Sequence, residues 1–264
     1  MLFTQLVQAN LTTAEYGRTI EYFTKTESTN DDAWELYQED APSGSIIIAE
    51  IQSKGRGRQG NKWHTSPNKG LAFSILLRPK ISVPDSGIFS IATAIAIYKA
   101  LKEYEIETKT KWPNDILIDD KKIAGILCES RISGNQITGL VIGVGLNVNQ
   151  SLDDFSEDIA DLSTSLFIEK GVPFQRERIL ASIINQLESV VTQIINNEID
   201  EIIHDWESNC HHMLKDISIR DNDKTHFGKF MGINTKGSAL LNAAGNQKEF
   251  NSGIVIKTGE DQTI

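Results

Sequence analysis

At 264 residues, with 39% apolar and 23% charged side chains, the chain has room for one large core plus a smaller second unit, and its composition is that of an ordinary soluble protein. Its 36 acidic and 26 basic residues give a formal net charge of −10, which argues against sequence-independent nucleic-acid binding, a property that rests on Lys and Arg contacts to phosphate. Two cysteines, Cys128 and Cys210, cannot build a disulfide framework, and neither a basic-then-apolar leader nor an apolar run of membrane-spanning length is present, so a cytoplasmic protein is expected.

In chain order, residues 18–23 alternate as a strand. Ser28-Thr29-Asn30 follows, and then a helical stretch opening on Asp31 and Asp32. Small polar residues at a strand-to-helix junction cap the helix, and acidic residues suit its first turn. The isoleucine run of 45–52 and the apolar run 71–77 predict two buried strands joined by Lys54-Gly55-Arg56-Gly57-Arg58-Gln59-Gly60-Asn61-Lys62-Trp63. The glycines at 55, 57 and 60 have the spacing of a dinucleotide-binding loop. That loop should open a helix, whereas Ser66-Pro67-Asn68 beyond it is turn chemistry, so the fingerprint fails. The charge is more telling. Residues 51–84 contain no Asp or Glu but seven cations: Lys54, Arg56, Arg58, Lys62, Lys69, Arg78 and Lys80. A basic, glycine-rich loop on an acidic protein suits a small polyanion, which arginine grips with paired hydrogen bonds while glycine lets backbone N–H groups approach. A merely solvated basic loop is the alternative at this point.

Residues 85–104 predict a helix apolar almost all round, covered on both sides. Strand signals follow at 107–112, 116–122 and 123–128, broken by Pro113-Asn114-Asp115, and 136–149 continues the sheet through Gly143 and Gly145 to Asn147. An amphipathic helix over 176–197, about 33 Å long, braces one sheet face, and a short helix follows over 200–206. From 213 onward the pattern is of short strands at 216–220, 225–233, 238–241 and 249–256. Turns at 234–237 and 244–246 separate them, which makes a small β-barrel that leans on the rest. Cys210-His211-His212 is not read as a metal site, because adjacent residues rarely share one tetrahedral ion, and no metal ligands are assigned. Cys128 reads as inert core.

The blocks Gly55-Arg-Gly-Arg-Gln-Gly60 with Lys62-Trp63, Lys111-Trp-Pro-Asn-Asp115, Lys122-Ile-Ala-Gly-Ile-Leu127 and Gly143-Val-Gly-Leu-Asn147, with Ser28-Thr-Asn30 upstream, resemble in order the signatures of biotin protein ligases. The similarity runs from about residue 20 to the end and is weakest after 150. It implies an α+β fold: a mixed sheet flanked by helices in a class II synthetase-like catalytic domain (1–212), then a small SH3-like β-barrel (213–264). The implied reaction joins biotin to ATP as biotinyl-5′-AMP, with Mg²⁺, and passes biotin to one lysine of the biotin carboxyl carrier domain of acetyl-CoA carboxylase or a related carboxylase. The resemblance also assigns roles. Ser28, Thr29, Asn30 and Gln52 would meet the ureido ring, and Arg56 and Gly57 would belong to a closing loop. Arg58 and Lys122 would sit at the carboxylate–phosphate junction, Trp63, Asn114 and Asn147 at the adenylate, and Asp115 would receive the acceptor ammonium. Only about 17 residues precede the first strand, so the DNA-binding winged helix of some members is not expected. A homodimer through the strand ending near Gly145 is one oligomeric option beside a monomer. A lipoate or octanoate ligase shares the architecture but lacks the pairing of Gly-Arg-Gly-Arg with Lys-Trp-Pro-Asn-Asp. A non-catalytic biotin sensor is disfavoured by the intact Arg58 and Lys122.

Overall fold

In the computed structural model, which describes residues 1–79 and 87–258, the apolar runs form one mixed sheet. Its strands are β1 (Ile20–Thr26), β2 (Ser45–Gln52), β3 (Leu71–Leu77), β4 (Lys109–Lys111), β5 (Asp115–Ile118), β6 (Lys121–Ser133) and β7 (Gln136–Leu146). They lie in the order β1-β2-β3-β7-β6-β5-β4. β1 and β2 are parallel because helix α2 (Thr29–Gln38) carries the chain between them, and every other pair is antiparallel. The isoleucine run of β2 follows from burial on both faces. Ile46 and Ile48 enter the main core, whereas Ile47 packs with Ala33 and Leu36 of α2.

The main core lies on the other side of the sheet, under α3 (Gly87–Lys102) and α5 (Arg176–Ile195). Twelve residues of α3 are buried, as its nearly uniform apolar sequence requires for a helix between a sheet and α5. The expected start of this helix at Asp85, and the cation Lys80, lie outside the described residues. α5 keeps its stripe, with Ile179, Ile183, Leu187 and Val190 buried. Among the described residues there are three shorter helices: α1 (Thr4–Ala9), absent from the sequence reading, α4 (Leu166–Lys170) and α6 (Ile199–Ser208).

The C-terminal strands β8 (Asp216–Asp221), β9 (Lys224–Ile233), β10 (Ala239–Ala243), β11 (Asn246–Phe250) and β12 (Ile254–Thr258) form an antiparallel sheet in the order β11-β10-β9-β8-β12. The single strand expected over 249–256 is in fact two. The chain turns at Asn251-Ser252-Gly253, where Gly253 has φ +149° and the Ser238 hydroxyl bonds Asn251, so β12 crosses to pair with β8. This sheet shares the main core. Trp206 of α6 packs beside Phe230 and the fully buried His212, and the Trp112 indole N–H donates to Gly237 O at 3.0 Å.

β7 lies between β3 and β6, so residues 140–146 are paired on both sides and Gly145 faces Ala72 and Gly125. The edge pairing proposed for this stretch is therefore unavailable. Sequence order alone hid this, because β3 ends at Leu77 and β7 begins only at Gln136.

Candidate active site

The strand-to-helix junction after β1 builds the floor of a cavity. Ser28 has extended backbone (φ −160°, ψ 130°), and its carbonyl accepts the Asp31 and Asp32 N–H groups. Its hydroxyl makes no side-chain cap bond, so the capping expected of it is done by the backbone. Thr29 donates its N–H (2.8 Å) and hydroxyl (3.1 Å) to Gln52 Oε1 on β2, which turns the Gln52 amide NH₂ away from Thr29. Asn30 is held at both ends. Its Nδ2 donates to Glu129 Oε2 on β6 (3.2 Å), and its Oδ1 accepts from the Ser74 hydroxyl on β3 (2.6 Å). Gly143 lies directly beneath, and a Cβ there would come within 2.2 Å of Asn30 Oδ1. Ser28, Thr29 and Asn30 are almost wholly buried, so the floor is a polar, uncharged surface.

The basic loop between β2 and β3 folds over this floor as a tight hairpin. The Gly57 N–H donates to Asn61 O (2.7 Å), the Trp63 N–H donates to Gly55 O (3.0 Å), and Arg58–Gly60 makes one 3-10 turn. Local partners hold several of its cations. Arg56 makes a fork to Asp31 (2.6 and 2.8 Å) and reaches Glu129 at 3.3 Å, while Lys54 pairs with Glu27 and Lys69 with Asp154. The bonds to Asp31 raise the already high pKa of Arg56, so its charge is permanent. Arg58 and Lys62 line the cavity itself.

The third wall comes from β5, β6 and β7. Lys122 stands near the start of β6, its backbone held by Leu162 O and by the Thr164 N–H. Its Nζ lies 2.6 Å from Asp115 Oδ1 and 5.9 Å from the centre of the Trp63 ring. The Trp63 indole packs against Gly145, where a Cβ would meet ring carbons at 2.0 to 2.5 Å. Gly143 and Gly145 therefore admit Asn30 and Trp63 as close neighbours of the strand. Asn114 borders the cavity, but its NH₂ is committed to Ile126 O at 2.7 Å.

Asn147 follows β7 and is buried, with Nδ2 donating to Thr164 O and Oδ1 accepting from Gln150, so its amide braces the loop beyond the strand. Sequence reasoning missed Gly253, Ile254 and Val255, which close the cavity from the C-terminal sheet, and the signal that could have revealed them is the Asn-Ser-Gly break in the last strand pattern. Cys210-His211-His212 is structural. His211 faces Asp120 at 3.2 Å, and burial, then the charges of His211, Lys111 and Lys215, lower the pKa of His212 to about 3. Burial pushes the Cys128 thiol up to about 12, with Arg58 near enough to oppose the shift.

One cavity thus has a neutral hydrogen-bonding end at Ser28, Thr29, Asn30 and Gln52. Its other end is cationic, at Arg58, Lys62, Lys111 and Lys122, with Asp115 beside Lys122. That polarity suits a ligand with an uncharged polar head and an anionic tail that must meet a second anion.

A family model for the biotin/lipoate A/B protein ligase family matches residues 22–147. The bifunctional ligase/repressor BirA of Bacillus subtilis is 32% identical over 249 residues, covering 94% of this chain and 74% of that protein. The biotin--[acetyl-CoA-carboxylase] ligase of Paracoccus denitrificans is 30% identical, covering 82% and 91%. Among solved structures, the biotin protein ligase of Aquifex aeolicus in complex with biotin and ATP superposes with a TM-score of 0.77 at 28% identity, over 90% of this chain and 97% of that one. The mixed sheet and flanking helices, the ordered signature residues gathered at one cavity and these relatives together identify the chain as a member of the biotin/lipoate A/B protein ligase family and, within it, of the biotin protein ligases.

Proposed function

We propose that this ligase joins biotin to ATP as biotinyl-5′-AMP and pyrophosphate, then passes biotin to one lysine of the biotin carboxyl carrier domain of acetyl-CoA carboxylase or a related carboxylase. The observation that carries the reading is the two-ended cavity, with its buried amide and hydroxyl floor and its Arg58 and Lys122 rim. The ureido ring fits the floor, where each buried polar group left unpaired would cost about 1–3 kcal/mol. Biotin's carboxylate oxygen attacks the α-phosphorus of ATP, forming the acyl–phosphate bond as pyrophosphate leaves with the electron pair. Two anions meet there, and charge builds on the phosphoryl oxygens, so Arg58 and Lys122 stabilise the transition state more than the ground state. Trp63 and the hairpin carrying Arg56 and Gly57 keep water from the reactive anhydride.

In the second step the acceptor amine attacks the biotinyl carbonyl and AMP leaves. A lysine of ordinary pKa costs roughly 4–5 kcal/mol to deprotonate at pH 7. Asp115, already 2.6 Å from one ammonium, is the carboxylate on hand to receive the incoming one. Among the described residues no three His, Cys, Asp or Glu side chains converge on a metal position. Mg²⁺ is accordingly proposed to arrive with ATP, held by phosphates and water.

We further divide the chain into a catalytic domain, residues 1–212, and a small C-terminal domain, residues 213–264, whose described residues Gly253, Ile254 and Val255 line the cavity. A cytoplasmic setting agrees with two free thiols and with no described helix being long and apolar enough to cross a membrane. The test is pyrophosphate exchange by the purified protein with biotin against lipoate, followed by labelling of a carrier domain. Biotin-dependent exchange and a single labelled lysine are expected, and exchange with lipoate alone would overturn the reading.

A further inference from the structure

Glu129 of β6 joins two parts of the site that are 26 residues apart in sequence. Its Oε2 accepts from Asn30 Nδ2 in the cavity floor at 3.2 Å and from the Trp34 indole N–H at 3.0 Å. Its Oε1 accepts from Arg56 in the overlying hairpin at 3.3 Å. A carboxylate has no donor, so it compels Asn30 to present its NH₂ and fixes which way that amide faces. Asp31, on the first turn of α2, completes the grip on Arg56 with its fork of two short bonds. We infer that Glu129 is a positioning residue: one carboxylate sets the amide that reads the ring end of biotin and also tethers the hairpin that covers it, with Asp31 as a second tether for the hairpin alone. This rests on the function proposed above and adds a coupling to it. Recognition at the floor and closure of the loop share a side chain, so a well-seated ring end also steadies the lid.

The two tethers can be separated. Glu129→Gln keeps the shape and an acceptor for Trp34, but it removes the charge facing Arg56 and weakens the hold on the Asn30 amide, whose NH₂ then keeps only the Leu127 carbonyl at 3.5 Å as an obligate acceptor. In pyrophosphate exchange we expect KM for biotin to rise at least tenfold while KM for ATP and the unfolding midpoint stay near those of the wild type, and preformed biotinyl-5′-AMP should leave at least fivefold faster. Asp31→Asn cuts only the hairpin tether, so it should speed adenylate loss while KM for biotin stays within twofold. A biotin KM within twofold of wild type in Glu129→Gln would overturn the inference. So would a parallel rise in both KM values with a lower midpoint, which marks a packing role. A wild-type protein that forms no adenylate is a different result, and it would sink the proposed function itself.

Discussion

Adding a methyl group at Gly145 tests the site from an unexpected side. The new Cβ would lie 2.0, 2.4 and 2.5 Å from three atoms of the Trp63 indole, against about 3.5–4 Å for ordinary carbon contacts, so the ring must move by about 1.5–2 Å. A rigid ring cannot yield at one atom, and the whole indole leaves the strand. The face that Trp63 is proposed to lay on the adenylate is about 70 Å², roughly a third of the ~200 Å² an aromatic side chain buries, and losing it from the ligand costs about 1.7 kcal/mol at about 25 cal/mol per Å². The weakened ring–ammonium contact with Lys122, now 5.9 Å, adds about 0.5 kcal/mol. Together they predict about 40-fold weaker retention of the adenylate in Gly145→Ala. The strand loses no pairing and Ala suits it better than Gly, so the unfolding midpoint should hold. Equilibrium binding of biotinyl-5′-AMP measures the first quantity and thermal unfolding the second. In a Trp63→Ala background, Gly145→Ala should do almost nothing. Binding within threefold of wild type in the single variant, or an undiminished effect in the double one, refutes the displacement argument.

Lys122→Ala should slow adenylation by about a thousandfold, equivalent to about 4 kcal/mol, with the fold intact because this ion pair is partly exposed; stopped-flow pyrophosphate release reads the rate, and a loss under tenfold would discount the lysine. Arg58→Gly should let the adenylate escape, so that lysines of an unrelated bystander protein become labelled in an avidin blot; unchanged affinity and release rates would contradict the role given to the hairpin. His212 is neutral when folded, burial having lowered its pKa from 6.5 to about 3. The unfolded chain therefore binds the extra proton, and the stability this residue contributes is present above pH 6.5 and lost as pH falls toward 3, on the order of 4–5 kcal/mol. Denaturant titrations of wild type and His212→Leu should diverge across that window, and parallel curves would refute the assignment.

What the sequence made legible follows the range of the forces involved. Continuous apolar runs located β2, β3 and α3, and a 3.6-residue stripe located α5, since each reports burial of its own faces. The signature blocks converge because β5, β6 and β7 are hydrogen-bonded neighbours, and Ser28, Gln52, Arg58, Trp63, Asp115 and Lys122 all border one cavity. Pairing across the chain was not legible. The basic window looked like unspent charge, yet Asp31 and Glu129, outside it on α2 and β6, hold Arg56. The block around Asn147 says nothing of Thr164 and Gln150, which bond its amide. The placement of β7 in mid-sheet and the turn before β12 likewise depend on partners that no local window contains.

The indole of Trp112 sits inside a signature block, yet its one polar atom is spent on Gly237 of the C-terminal sheet, and its ring edge lies against Gly253. The segment that presents Asn114 and Asp115 to the cavity is therefore anchored from beyond the first sheet. Removing or exchanging the last fifty residues would strip an outer buttress from the rim of the active site, so this enzyme should evolve its two ends in step, and grafting the tail of a distant relative onto it would first loosen the position of Asp115.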